Sequence, residues 1–359
     1  MNHYCTYFDR GFLVQGVALW RSVARHDPDA ALWVLALDDE TADALRALGD
    51  TFLRVVPLAE LEAADPKLLA MRSQRSWPEY LFTLSPCWPR WILATQRYIR
   101  RVTYLDADLA CFSRPTGMFA AMEAASASVM VTAHRFPPWL KHYERHGTFN
   151  VGVLSFANDE TARQILDEWR ASCLEWCHDR VDGQRYADQG YLNAWPERLG
   201  KRLLILDDPG VNAAPWNWAG STYHIPHSKG APLEVDGRPL VFFHFARFRP
   251  RAGTWLWESG QLDYGIMPER LRSALYGTYW WLLVAAQAEL RSVRPSGDFE
   301  LRTARLGRAG WRSLPLRLVF GGTWIRLGSH FLNLRGGLGR YSGRVLGGLR
   351  RIVRGSPAG

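Results

Sequence analysis

Short apolar runs alternate with helical stretches along the first 250 or so residues, and no other feature limits the fold as strongly. Strand-like runs fall at 3–8, 32–37, 52–57, 102–106, 128–133, 152–156, 203–206 and 240–245. Helical periodicity falls at 16–25, 40–48, 88–100, 161–177 and 188–195. A strand that leads through a helix to the next strand returns parallel to itself, so the pattern predicts an α/β chain with a mostly parallel sheet covered by helices on both faces. With 359 residues, 47% of them hydrophobic, the chain can bury one large core or two modest ones.

One strand ends in an unusual way. Arg101-Val102-Thr103-Tyr104-Leu105 reads as buried strand, after a helical stretch with Trp88, Trp91, Ile92, Thr95, Tyr98 and Ile99 and before the turn-like Ser113-Arg114-Pro115. Where the strand runs out, Asp106 and Asp108 stand one residue apart. Strand alternation sends both carboxylates to the same side, at the C-terminal edge where open α/β sheets bind ligands. Two like charges so close repel unless a cation sits between them, and Mg²⁺ or Mn²⁺ takes carboxylate oxygens and bridges them to phosphates. Asp-x-Asp alone is a common loop tripeptide, and its position at a strand end is what gives it weight.

Further motifs follow in order. They are Phe149-Asn150-Val151-Gly152-Val153-Leu154-Ser155-Phe156, then Ala187-Asp188-Gln189-Gly190-Tyr191-Leu192-Asn193, then Phe243-His244-Phe245. With Tyr104-Leu105-Asp106-Ala107-Asp108-Leu109, this series resembles nucleotide-sugar glycosyltransferases of the GT-A fold over about residues 3 to 257. Its order and spacing are closest to family 8, which includes bacterial lipopolysaccharide sugar transferases and glycogenin.

The resemblance implies a Rossmann-like GT-A core, a nucleotide-sugar donor of the uridine type and transfer with retention of anomeric configuration. It makes Mn²⁺ (or Mg²⁺) the cofactor, held by Asp106, Asp108 and His244. Asn150, Asp188 and Gln189 would line the donor sugar and reaction centre, and Tyr4, Cys5, Thr6 and Phe12 would meet the base of the nucleotide. Two positions depart from the family. The lysine that usually follows the histidine is absent, leaving Arg247 and Arg249 to hold the diphosphate, and no cation stands just before Pro86, leaving Arg72 or Arg75 for a second phosphate contact. Structural readings compete for the same residues: a strand-end packing role for His244, a turn or cap for Asn150 and a helix N-cap for Asp188.

Charge separates the two ends of the chain. Residues 301–359 hold twelve arginines, no lysine and no acidic residue; taking +12 from the overall +9 leaves the first 300 residues at −3. Arginines interleaved with Trp324, Phe331 and several leucines suit a segment lying on an anionic membrane surface, and no run reaches the roughly 18 apolar residues of a spanning helix. The glycines of this stretch leave disorder open as an alternative, and nucleic acid is disfavoured because no recognisable module accompanies the arginines. Residues 1–265 are expected to form the catalytic domain, 266–300 a helical segment packed on it, and 301–359 a basic C-terminal extension that is membrane-bound or disordered.

Five cysteines without paired spacing argue against a disulfide framework, and no signal peptide is visible. Cys173-x3-Cys177-His178 could suggest zinc but sits on a helical pattern, favouring buried thiols. Trp216-Asn217-Trp218 and Trp255-x-Trp257 could stack on an acceptor sugar or simply pack. The expectation is a cytoplasmic protein, peripheral at the inner face of the membrane, that transfers a sugar to a glycan or lipid-linked acceptor. A nucleotidyltransferase, an aspartate-based phosphatase or a catalytically silent sugar-binding scaffold are the alternatives, and nucleotide-sugar product analysis separates them.

Overall fold

The computed structural model describes residues 1–226, 231–251, 255–301, 308–319, 323–327 and 330–332. Chain order begins with β1 (His3–Phe8), α1 (Leu13–His26), β2 (Ala31–Ala36), α2 (Asp39–Ala47), β3 (Leu53–Pro57), α3 (Leu58–Ala64), α4 (Pro66–Met71) and α5 (Trp77–Thr95). It continues through β4 (Arg101–Leu105), β5 (Leu109–Cys111), α6 (Thr116–Ala124), β6 (Val129–Ala133), β7 (Phe149–Ala157), α7 (Glu160–Glu175), α8 (Trp195–Leu199) and β8 (Leu203–Ile205). A seven-stranded sheet runs in the order β3-β2-β1-β4-β7-β6-β8, and only β7 opposes the common direction. The α/β architecture expected from the alternation is therefore present, with helices on both faces.

Each face has its own core. Tyr4 and Phe8 of β1 pack with α1 on one side, while Cys5 packs with Trp88 of α5 and Trp169 of α7 on the other. Helix α5 begins eleven residues before the expected start, because Ser76 and Glu79 form a reciprocal capping box and Pro78 occupies its first turn. Pro86 and Pro89 lie inside it. The stretch expected as a helix at 188–195 is instead a 3₁₀ segment, Gln189–Ala194, leading into α8.

Beyond β8 come β9 (Tyr223–His224), β10 (Glu234–Val235), β11 (Arg238–Pro239), β12 (Phe242–His244), β13 (Arg249–Arg251), β14 (Leu256–Glu258), α9 (Gln261–Tyr264) and α10 (Glu269–Val293). Helix α11 (Arg308–Val319) and strands β15 (Trp324–Leu327) and β16 (His330–Leu332) follow. Strand β12 pairs with β5 beneath the main sheet's edge, while β13-β14-β15-β16 form a separate antiparallel sheet. Helix α10 packs on α1 and shares its core with β12.

The described part of the basic extension requires a correction. Trp324 and Phe331 were expected to insert into lipid, yet both are 0% exposed. Trp324 packs edge-on against Tyr276 and Phe331, and β15 pairs with β14 in register Trp257↔Trp324. Two large aromatic side chains find more apolar area against α10 than a solvated segment could offer them, and the strand ladder satisfies their backbone. The remaining arginines of 333–359 lie outside the described residues. No helix among the described residues is long and apolar enough to cross a membrane.

Candidate active site

The Asp106–Asp108 segment is a tight turn rather than a continuing strand. The main-chain N–H of Asp106 donates to Gly152 O at 3.0 Å, and Leu109 N–H donates back to Asp106 O at 3.1 Å. The chain then enters β5, which pairs with β12 so that Leu109 stands opposite His244, and Phe245 N–H donates to Asp108 O at 2.8 Å. Strand register thus carries His244 to the two aspartates from 136 residues away. Its Nε2 lies 3.0 Å from Asp108 Oδ1 and 3.6 Å from Asp106 Oδ2. The carboxylates converge as expected, but through a turn and not through alternation along a strand.

One ligand atom from each of Asp106, Asp108 and His244 lies within 4.8 Å of the others, and no other such group of three occurs among the described residues. Two carboxylates and an imidazole suit Mn²⁺ or Mg²⁺, so the residues present fit the implied cofactor. Charge in the metal-free arrangement tells the same story. Burial works against protonating His244, yet Asp108 and then Asp106 overcome it and raise its pKa. Burial also pushes the Asp106 carboxyl up, while His244 pulls it back and Asp108 pushes it further. The two acids therefore favour positive charge at the position the His244 ring shares with them.

Behind the histidine is a wall that sequence reading missed. A Cβ on Gly152 would fall 2.6 Å from Asn150 Oδ1 and 2.8 Å from His244 Nδ1, so only glycine fits at this point of β7. Asn150 Oδ1 accepts from Gly152 N–H at 2.8 Å and from Asn212 Nδ2 at 2.9 Å. Asn212 also donates to Thr132 Oγ1 and holds a left-handed φ of 57°. His134 is pulled down to about 4 by burial, so it is neutral; Nδ1 can donate to Thr148 O while Nε2 accepts from Asn150 Nδ2 at 3.3 Å. Trp216 presses edge-on against the His244 ring at 5.1 Å and donates to His134 O, which settles that tryptophan as packing. Only the left-handed asparagine after Pro209-Gly210 left a sequence signal, a turn with no partner named.

The acidic pair is also wired to β1. Tyr104 donates its hydroxyl to Asp106 Oδ1 at 2.8 Å, its ring lies 5.6 Å from that of Tyr7, and Tyr7 shares a 2.9 Å hydrogen bond with Ser85. Asp188 lies in the same neighbourhood; it is buried, and burial first, with Asp106 adding to it, lifts its pKa to about 7. It stands at the N-cap position of the 3₁₀ segment without a side-chain capping bond to it. Gln189 donates through Nε2 to His146 O at 2.7 Å.

Other expected contacts are placed differently. Tyr4 is a core residue whose hydroxyl donates to Asp27, and Cys5 is sealed at 0% exposure, because β1 is buried on both faces until it nears its end at Phe8. Thr6 is buried with its hydroxyl unpartnered among the described residues, whereas Phe12 stands about a third exposed beyond the strand's end. Arg75 does not reach toward a phosphate: its guanidinium caps the end of α7, donating to Leu174 O and Cys177 O. Arg72 is paired with Glu62. Arg247 bonds Asp263 at 2.9 Å with half its side chain exposed, and Arg249 lies on β13 opposite Glu258. Cys173 and Cys177 are buried thiols and His178 bonds Glu79, as the packing reading expects. Trp257 is buried against Phe248 and Trp280, while Trp255 is half exposed.

Fold and site together define an α/β protein with a three-residue candidate metal centre at its sheet edge. The chain belongs to the family of YfnF and YfnD, two uncharacterized proteins of Bacillus subtilis (strain 168). It is 31% identical to YfnF over 251 residues, covering 68% of this chain and 81% of YfnF, and 31% identical to YfnD over 249 residues, covering 68% and 78%. No family model matches it. Among solved structures it is similar to mouse xyloside xylosyltransferase 1 in the apo form, at 15% identity and a TM-score of 0.43 over 59% of this chain and 87% of that one. It is also similar to the galactosyltransferase LgtC with donor and acceptor sugar analogs, at 18% identity and a TM-score of 0.41 over 67% and 86%. The glycosyltransferase GlyE of Streptococcus pneumoniae TIGR4 is another, at 15% identity and a TM-score of 0.46 over 81% and 62%.

Proposed function

We propose that the protein is a metal-dependent glycosyltransferase that moves a sugar from a uridine diphosphate donor to a glycan or lipid-linked acceptor, within residues 1–265. The observation that carries this reading is the convergence of Asp106, Asp108 and His244 at the strand edge, beside the buried Asp188 and Asn150. A divalent cation held by the three would offset the charge that develops on the departing diphosphate. Asp188 and Gln189 would face the sugar and orient the acceptor hydroxyl, with Asn150 fixed by Asn212 and His134 as the wall behind them. Arg247, half exposed, bonded to Asp263 and lying over the Tyr264 ring, and Arg249 of β13 are the two candidates to reach the diphosphate.

Resemblance to family 8 favours retention, and lipopolysaccharide is one acceptor class consistent with it. The arginines of 301–359 favour a peripheral position on the inner face of a membrane, by electrostatic attraction rather than through Trp324 and Phe331. Incubation with a panel of nucleotide sugars, with Mn²⁺ or with chelator, tests the core of the reading. Released nucleoside diphosphate with a glycosylated acceptor, lost on chelation, is the expected result. Pyrophosphate release would assign nucleotidyl transfer instead, and turnover undiminished in excess chelator would overturn the metal dependence.

A further inference from the structure

Helix α10 has no charged residue between Arg272 and Glu289, although one of its faces is open to water. Thr278, Trp281, Ala285 and Ala288 form that face at successive helical turns, and Trp281 is 55% exposed. A helix stripe that meets only water is normally charged, and tryptophan is the side chain most often placed at a lipid–water boundary. Alongside this stripe lies a cleft of about 540 Å³, bounded by Thr278 and Leu282 of α10, the last turn of α1 and the chain after β5. Its wall is apolar, with Phe112, Ile225 and Leu282, while Arg25 and Arg114 supply cations and His26 a polar imidazole.

No carboxylate lines the cleft among the described residues. The contrast with the preceding turn of α1 is direct, since Arg21 there is neutralised by Asp50 and Glu289. Arg25 and Arg114 are close enough to His26 that both add to burial in lowering its pKa, which leaves the two arginines as the positive charges of the cleft. A cluster of positive charge left without acids, opening beside apolar wall and an exposed indole, is complementary to an anion that carries a hydrocarbon part. Free phosphate would use the charges and leave the apolar wall and Trp281 without a role.

We propose that this face of α1 and α10 rests on an anionic phospholipid surface, with headgroup phosphates at Arg25, His26 and Arg114 and the α10 stripe at the interface. Helix α1 leaves the sheet edge that bears Asp106 and runs about 20 Å to the opposite edge, so this contact leaves the candidate active site clear of the lipid. The inference does not depend on sugar transfer, and it is separate from the attraction exerted by residues 301–359.

Cosedimentation of the full chain with phosphatidylcholine vesicles, with and without phosphatidylglycerol, tests it. Binding should require the anionic lipid, and the double variant Arg25→Gln/Arg114→Gln should lower partitioning about fivefold for each arginine removed. An equal charge loss by Arg180→Gln/Arg198→Gln, on the α7 and α8 side, should have far less effect. Because all five native cysteines are buried, an environment-sensitive fluorophore on Ala285→Cys reports this face alone, and one on Gln164→Cys reports α7. The label at position 285 should shift to the blue on anionic vesicles while that at 164 stays aqueous. Equal losses from the two double variants, an aqueous signal at 285 on bound vesicles, or no binding to anionic vesicles would each overturn the proposal. Attachment carried solely by residues 301–359 would give the second of these results.

Discussion

Of the buried charge clusters among the described residues, two are built on opposite plans. In the C-terminal sheet, Glu258 is met by Arg317 and by Thr323 Oγ1 at 3.2 Å, and the buried Arg272 donates to Phe331 O at 2.5 Å and Met267 O at 2.9 Å. Glu258 there has a cation of its own, and Arg272 is held by main-chain carbonyls, with its Nη2 left without a partner among the described residues. At the Asp106 edge, two acids share one imidazole, a third acid is buried close by, and His244 Nδ1 has no partner among the described residues. The first arrangement holds strands together, whereas the second keeps electrostatic energy available for a ligand that brings positive charge. Damage to the first should appear as lost stability with chemistry intact, and damage to the second as lost chemistry with stability unchanged or improved.

The largest expected effect is on the stabilising side. Trp324→Ala should cost about 3–5 kcal/mol, because a fully buried indole is removed from between Tyr276 and Phe331. Chemical denaturation measures this, and turnover per folded molecule should remain. Removal of residues 301–359 should be worse still, since β15 and β16 leave the sheet and uncover Trp257. A truncated chain that melts like the full one would show that the C-terminal sheet is dispensable, and the comparison would lose its first half.

Next in size is Asp108→Asn, expected to lower turnover at least ~100-fold while the melting temperature of the metal-free protein holds or rises, because one of two like charges is gone. A large fall in melting temperature would make Asp108 another structural acid. His244→Ala should weaken Mn²⁺ binding by calorimetry about 10- to 100-fold with circular dichroism unchanged. Gly152→Ala should give a similar loss without touching a ligand, since its Cβ would drive against His244 Nδ1 and Asn150 Oδ1. Binding of Mn²⁺ should also weaken as pH falls, because a proton on His244, held more tightly than on a free imidazole, must leave before the ring can serve as ligand.

The parallel sheet and the acidic pair were legible because both are local patterns: strand-helix alternation, and two acids one residue apart at the end of an apolar run. Hydrophobic periodicity gave every strand of the main sheet to within a few residues, and capping and irregular turns account for the differences at α5 and at 189–194. Motif resemblance led to His244, which only the β5–β12 register brings to Asp108. What stayed hidden depends on long-range contact. Asn212 and His134 meet Asn150 across 62 and 16 residues, and neither has a spacing to recognise. Arg75 looked like a free cation in the sequence because the carbonyls it caps lie about a hundred residues downstream. Trp324 and Phe331 were misplaced for the same reason: amphipathic composition gives a segment's character, while its partner, here α10, is a property of the fold.

The smallest predicted effect concerns Asp188 and divides the two plans most finely. Burial lifts its carboxyl to about 7 in the metal-free protein, against an ordinary value of 3.8. Between those two values the folded chain keeps a proton that the unfolded chain has released, so stability falls as pH rises through the window and levels off above it. From pH 6 to pH 8 the change should be about 1 kcal/mol, read from urea unfolding in chelator. Asp188→Asn should remove the share of that dependence due to Asp188, leaving the smaller fall due to His244, and make the variant more stable than the parent at pH 8, while its turnover falls if the carboxylate faces the sugar. Saturating Mn²⁺ should flatten the parent's profile as well, since a cation at Asp106 favours the ionised form of the neighbouring acid. Were the parent's profile flat in chelator and Asp188→Asn simply less stable at every pH, Asp188 would belong with Glu258 among the paired, structural charges.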